Sequence, residues 1–131
     1  MKLELKHYSA YLDSQVMVYD RINLKVKLLT GVTLEGISLN YFKRIYHDIG
    51  NCKLVLHPLS DLTKEIEVDG ERFIPASRMI THGFHNKFWY DLENFSYKYL
   101  YALDYELLCS WHLDIFGLIP QGLAVDINTL N

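Results

Sequence analysis

Tyr99-Leu100-Tyr101-Ala102-Leu103-Asp104-Tyr105-Glu106-Leu107-Leu108-Cys109-Ser110-Trp111-His112-Leu113-Asp114-Ile115-Phe116-Gly117 is the segment on which the fold turns. Leu100, Leu103, Leu107, Leu108, Trp111, Ile115 and Leu118 recur at steps of three and four residues, which places them on one face of an α-helix. The spacing predicts a helix that starts near residues 97–100 and runs to Phe116, with Gly117 in the left-handed position that closes it. Asp114 then falls in the last turn, where a carboxylate opposes the helix dipole. It needs a neighbouring cation or hydrogen bonds from outside the helix. Downstream, Pro120 and Gly122 make a turn, and Leu123, Val125 and Ile127 alternate as a closing strand.

Upstream of this segment the first half reads as strands. Val16 and Val18 sit in a short β-rich run, and Arg21-Ile22-Asn23 is a connection. Leu24, Val26 and Leu28 alternate with Lys25 and Lys27, as in a half-buried strand with its lysines in water. Thr30-Gly31 reads as a turn. The apolar parity changes between Val32/Leu34 and Ile37/Leu39, so a bulge at Glu35-Gly36 is expected. Cys52 to His57, apolar at Cys52, Leu54, Val55 and Leu56, is a run suited to a buried strand and is ended by Pro58. Between Lys64 and Ile74, Asp69-Gly70 is a favoured two-residue type I′ turn. It pairs Ile66 with Phe73, Glu67 with Arg72 and Val68 with Glu71. These elements predict one α+β domain over residues 1–131: an antiparallel, hairpin-connected sheet packed on a long C-terminal helix around Trp111.

A chain of 131 residues with 50% hydrophobic and 22% charged residues has the composition of a globular domain rather than a disordered segment. A net charge of −3 argues against strong direct nucleic-acid binding, which calls for clustered excess Lys and Arg. The N-terminus lacks the apolar core of a signal peptide, and no run of 18 apolar residues occurs. Cys52 and Cys109 lie among apolar neighbours and read as buried, reduced thiols. A cytoplasmic location without membrane contact is the expectation.

Few constellations invite chemistry. His82-x-x-His85 with Cys109-x-x-His112 would supply a Cys-His₃ donor set for zinc. Short pairs of this kind recur by chance, and a histidine packed at the core edge is the favoured reading of His112. His112 and Asp114, two apart on a helix, point different ways and cannot pair. Glu65, Glu67, Asp69 and Glu71 read as solvated hairpin charges. No glycine-rich phosphate loop is present, and no catalytic residue, cofactor or metal is expected. The aromatic tract from Phe84 to Tyr101 leaves two readings open. Its rings complete a small core, or some of them anchor a partner, since Tyr, Trp and Phe are enriched at interface cores. On the second reading Phe84, His85, Phe88, Trp89 and Tyr90 form the contact surface.

The segments Leu54–Ile66, Val68–Pro75, Trp111–Ile119 and Gly122–Asn128 together resemble a family of small uncharacterised proteins from phages and prophages of Bacteroidetes bacteria. Leu3 to Leu12 resembles the start of that family, although Asp13-Ser14 replaces its Pro-Tyr-Gly type of turn. The tract from Met79 to Leu100 lies outside the resemblance. The family brings no activity with it and no catalytic residue. What it implies is a setting: a small phage protein in a bacterial host cytoplasm. The expectation is a non-enzymatic binding protein that acts on a host protein or nucleoprotein effector, such as an anti-CRISPR-like inhibitor of an RNA-guided effector. The alternatives are a small hydrolase or nuclease using His82, His85 or His112, and a virion or assembly component.

Overall fold

The computed structural model describes residues 2–41, 46–79 and 102–130. After a short helix α1 (Leu5–Ser9) come strands β1 (Met17–Asp20), β2 (Lys25–Thr33), β3 (Gly36–Leu39), β4 (Tyr46–His47) and β5 (Cys52–Leu56). The hairpin β6 (Ile66–Val68) and β7 (Glu71–Phe73) follows, then helix α2 (Ala102–Ser110) and strand β8 (Ala124–Asp126). Six strands form one sheet in the order β4-β3-β2-β1-β5-β8, and β6-β7 stand apart as a two-stranded sheet. β1 is the central seam: Val18 is opposite Lys27 of β2 and Leu54 of β5, and Asp20 is opposite Lys25 and Cys52.

The molecule is therefore a mixed α/β domain dominated by its sheet, which corrects the expectation of an α+β domain built on a long C-terminal helix. The sheet is not wholly antiparallel either, because β8 joins β5 in parallel, with Leu54 opposite Ala124 and Leu56 opposite Asp126. α2 ends at Ser110 instead of Phe116. Its termination follows the Schellman pattern: His112 N–H donates to Cys109 O at 3.1 Å and Leu113 N–H to Leu108 O at 2.9 Å. His112 holds the left-handed conformation, φ 62°, that the spacing assigns to Gly117. Glycine is the usual residue there because a Cβ makes this conformation less favourable. Two sets of contacts favour it here. His112 Nε2 lies 2.6 Å from Ser14 O. The next residues lie alongside the end of β5, where His57 N–H donates to His112 O at 2.7 Å and Asp114 N–H to His57 O at 2.9 Å. Leu108 and Leu113, the apolar pair that accompanies such a helix end, are both fully buried.

The buried stripe survives in part. Leu108, Trp111, Ile115 and Leu118 are buried, and the Trp111 ring lies 5.0 Å from that of Phe73. Leu103 is half exposed, whereas Asp104, one position on, is fully buried. The inward face of α2 is thus rotated from the one the leucines suggest. Tyr8 and Tyr11 complete the core from the N-terminal side with their hydroxyls satisfied, as buried tyrosines require. Tyr8 donates to Cys52 O at 2.9 Å, and Tyr11 to Leu113 O at 2.5 Å.

The β6–β7 hairpin has the expected register, with Asp69 and Gly70 both at positive φ. Two features of β2–β3 trade places. Thr30-Gly31 lies inside β2, where the register shifts, while Leu34-Glu35 make the hairpin turn and Gly36 opens β3 opposite Thr33, with no bulge there. Gly36, at φ 135°, passes so close to β4 that a Cβ would strike the His47 carbonyl. The parity of β2 is also the reverse of that expected. Lys25 and Lys27 share the face of Val18 and Leu54, while Leu24 and Val26 are exposed. Leu24 takes a left-handed conformation, φ 56°, as the chain enters β2. Lys27 places its ammonium 5.2 Å from the centre of the Tyr41 ring, so the core side of the sheet ends in a cation–aromatic contact rather than in water.

Candidate functional site

Three places gather chemistry or exposed apolar surface. The first lies where β4 folds back onto the seam of β1 and β5. Asp20 is fully buried. Its Oδ1 accepts the amides of Ile22 at 2.9 Å and Asn23 at 3.3 Å. Its Oδ2 accepts Asn23 Nδ2 at 2.7 Å and the Tyr41 hydroxyl at 2.6 Å. An aspartate two residues before a chain reversal makes these local bonds readily. His47 Nδ1 lies 3.9 Å from Asp20 Oδ2, and the Tyr41 and His47 rings are 5.3 Å apart. Cys52, directly across the strand register, is almost fully buried. Burial pushes the Asp20 carboxyl up, but the bonds from Tyr41, Asn23 and Ile22 outweigh it and hold the group at about 2. Burial and then the nearby Asp20 and Asp48 push the Cys52 thiol up to about 11.

The second place is the end of β5. His57 and Asp61 are buried, with His57 Nδ1 3.3 Å from Asp61 Oδ2. The same oxygen accepts Asn128 Nδ2 at 3.0 Å, and Lys64 Nζ lies 4.0 Å from Asp61 Oδ1. A cavity of about 630 Å³ opens beside them, lined also by Glu65, Ile66 and Ile127. His57 Nε2 is buried and has no hydrogen-bond partner. A carboxylate that orients one imidazole nitrogen and leaves the other free is the arrangement of a general base, although here the free nitrogen is closed off from solvent.

The third place is the tip of the β2–β3 hairpin. Leu34 is 97% exposed, the largest value among the exposed large apolar side chains of the described residues, and Tyr46 on the edge strand β4 is 52% exposed. They border a groove of about 470 Å³ with Leu5 and Ile49, and Glu35 and Asp48 carry negative charge on its rim.

The expected contact residues Phe84, His85, Phe88, Trp89 and Tyr90 lie outside the described residues, as does His82. Of the Cys-His₃ set, Cys109 is buried, with its thiol pushed up to about 12 by burial. His112 sits on Ser14 O, and burial lowers its pKa. Glu65 and Glu67 are exposed and lie 3.9 and 3.7 Å from Arg72. Asp114 is buried and takes the second of its two expected solutions. Its carboxylate oxygens accept the amides of Leu118 and Ile119, each at 2.8 Å. Burial raises its pKa, and these amides offset only part of that.

The clusters at Asp20 and His57 were missed because their members are separated in sequence or lack a motif. A partial signal existed in each. Asp20 and Asn23 flank a reversal, and His57 and Asp61 are four apart around Pro58. No family model, curated protein or solved structure matches the chain. No helix among the described residues is long and apolar enough to cross a membrane.

Proposed function

We propose that the chain is a non-enzymatic binding protein that presents the β2–β3 hairpin tip and the edge strand β4 to a protein partner. The observation that carries this reading is Leu34. A leucine at a hairpin tip, 97% exposed beside a half-exposed tyrosine, loses the hydrophobic stabilisation it would gain in a contact. Tyrosine is a frequent interface anchor, and β4 is an edge strand among the described residues, the position from which a sheet accepts an added strand. Glu35 and Asp48 on the rim favour a partner that sets a basic side chain next to an apolar one. The resemblance of Leu54–Ile66 and Trp111–Ile119 to phage proteins makes a host protein or nucleoprotein effector the partner class we propose, in a bacterial cytoplasm. Its most specific form is an anti-CRISPR-like inhibitor.

The test compares affinity purifications from host lysate. The wild type and an exposed-site control, Asp13→Ala, are expected to capture one partner that Leu34→Asp and Tyr46→Asp lose. Equal capture by all four proteins refutes the groove as the contact surface.

The His57–Asp61 pair beside its cavity favours a second reading, a small hydrolase. Turnover of ester or phosphodiester substrates that disappears in a folded His57→Gln protein is its signature. Equal turnover by the two proteins removes it.

A further inference from the structure

We propose that Asp20, His47 and Cys52 form a binding site for a single divalent transition-metal ion of borderline softness, of which Zn²⁺ and Co²⁺ are the representative probes. One carboxylate oxygen, one imidazole nitrogen and the thiol sulfur lie within 4.8 Å of one another. Three donors around a tetrahedral ion at ordinary bond lengths of about 2.0–2.3 Å stand roughly 3–4 Å apart, so a small contraction of the cluster closes the site. The donor types match as well. Thiolate, imidazole and carboxylate together suit zinc-like ions rather than Mg²⁺ or Ca²⁺, which take oxygen ligands.

The surroundings resemble a supported ligand set. Asp20 Oδ1 is fixed by two backbone amides, which orients the carboxylate, and Oδ2, which accepts Asn23 Nδ2 and the Tyr41 hydroxyl, lies toward the cluster. Tyr41 donates to that Oδ2 and lies against the His47 ring, so its phenol is placed as an outer partner that shifts when an ion arrives. His47 Nε2 is buried without a hydrogen-bond partner, which leaves the ring one nitrogen short of full satisfaction. Asp20 and Cys52 face each other across β1 and β5, and His47 comes from β4, so an ion would tie the sheet edge to its central seam. On binding, the Cys52 S–H bond breaks, its proton leaves to solvent and a sulfur–metal bond forms. Asp20 contributes as the anion it already is, and His47 donates a neutral nitrogen lone pair. The site shares β4 with the proposed Leu34 groove, whose Tyr46 and Asp48 flank His47, and is separate from the His57 pair.

The test titrates the metal-stripped full-length protein with Co²⁺ and follows thiolate-to-cobalt charge transfer in the near ultraviolet together with the intense visible bands of four-coordinate cobalt. One equivalent is expected to produce both, and Zn²⁺ to displace them. Cys52→Ser is expected to abolish the charge-transfer band, and His47→Gln to weaken Co²⁺ binding by more than roughly 100-fold, beyond what loss of an outer partner does. Cys109→Ser and the double variant His82→Gln/His85→Gln should leave the spectrum unchanged. Circular dichroism establishes that each variant is folded, and the wild-type spectrum stands as evidence even where a variant fails to fold. A wild-type spectrum identical to that of free Co²⁺ overturns the proposal. So does a spectrum that survives in folded His47→Gln or is lost in His82→Gln/His85→Gln.

Discussion

Asp20 and Asp114 are both buried carboxylates at chain reversals, yet their surroundings push them in opposite directions. Burial acts first on each and raises the pKa. At Asp20 four hydrogen bonds answer it, two from amides, one from a side-chain amide and one from a phenol, and the group is held at about 2. At Asp114 the amides of Ile119, Leu118 and Gly117 answer it incompletely, and the pKa stays raised. The lesson is that the balance between desolvation and donated hydrogen bonds decides whether a buried acid is a firm anion. The same contrast separates their roles. Asp114 closes a turn next to β5, while Asp20 holds a charge at the point where three strands meet.

The largest effect expected from this contrast is that of Asp20→Ala, which leaves four donors without an acceptor. It should destabilise the domain by at least about 3 kcal/mol in urea, against about 1–3 kcal/mol for Asp114→Ala, which frees backbone amides and no side-chain donor. A larger loss at Asp114 would break the comparison. Next is Tyr41→Phe, which removes a single hydrogen bond to the charged group. It should lower stability by about 1.5–3 kcal/mol and move the Asp20 pKa upward.

The pH dependence sharpens the contrast further. With a depressed folded pKa, Asp20 contributes stability that is present above its unfolded value of about 3.9 and is lost as the pH falls toward about 2. Asp114 has the opposite sign. Its raised folded pKa gives a contribution that is complete below the unfolded value and is lost as the pH rises through the folded one. Denaturation curves from about pH 2 to about pH 7 should therefore show Asp20→Asn flattening the acid limb and Asp114→Asn flattening the loss on the rising side. The smallest expected effect on stability is that of Leu34→Asp, within about 0.5 kcal/mol of wild type, as for exposed sites without special contacts. Paired with loss of partner capture, that near-neutrality would separate binding from folding.

Local chemistry made some of this fold legible in the sequence. Asp69-Gly70 specifies its hairpin because both residues tolerate positive φ, and the register follows from two residues in the turn. The run from Cys52 reads as a buried strand because it is apolar on both parities, and β5 is buried along most of its length. The helix end was not legible. Gly117 looks like the C′ residue, and nothing local announces that His112 adopts that conformation while its ring reaches Ser14, nearly a hundred positions earlier in the chain. The parity of β2 failed for a similar reason: Leu24, Val26 and Leu28 form an apolar set, but the register puts Lys25 and Lys27 on the face of Val18, where Lys27 reaches Tyr41 and Lys25 stays exposed. The clusters at Asp20 and His57 depend on tertiary closure. Asp20 meets Cys52 only through strand register, and Asp61 meets Asn128 only because β8 lies parallel to β5.

The central claim is that Asp20 is a firmly held buried anion at the junction of β1, β4 and β5. Carboxyl-carbon NMR titration of the intact domain, with Asp20 and Asp114 assigned, tests it most directly. The account predicts that Asp20 remains ionised until about pH 2, while Asp114 takes up its proton above the ordinary aspartate range. An Asp20 that protonates at or above that range, or before Asp114 does, would contradict it.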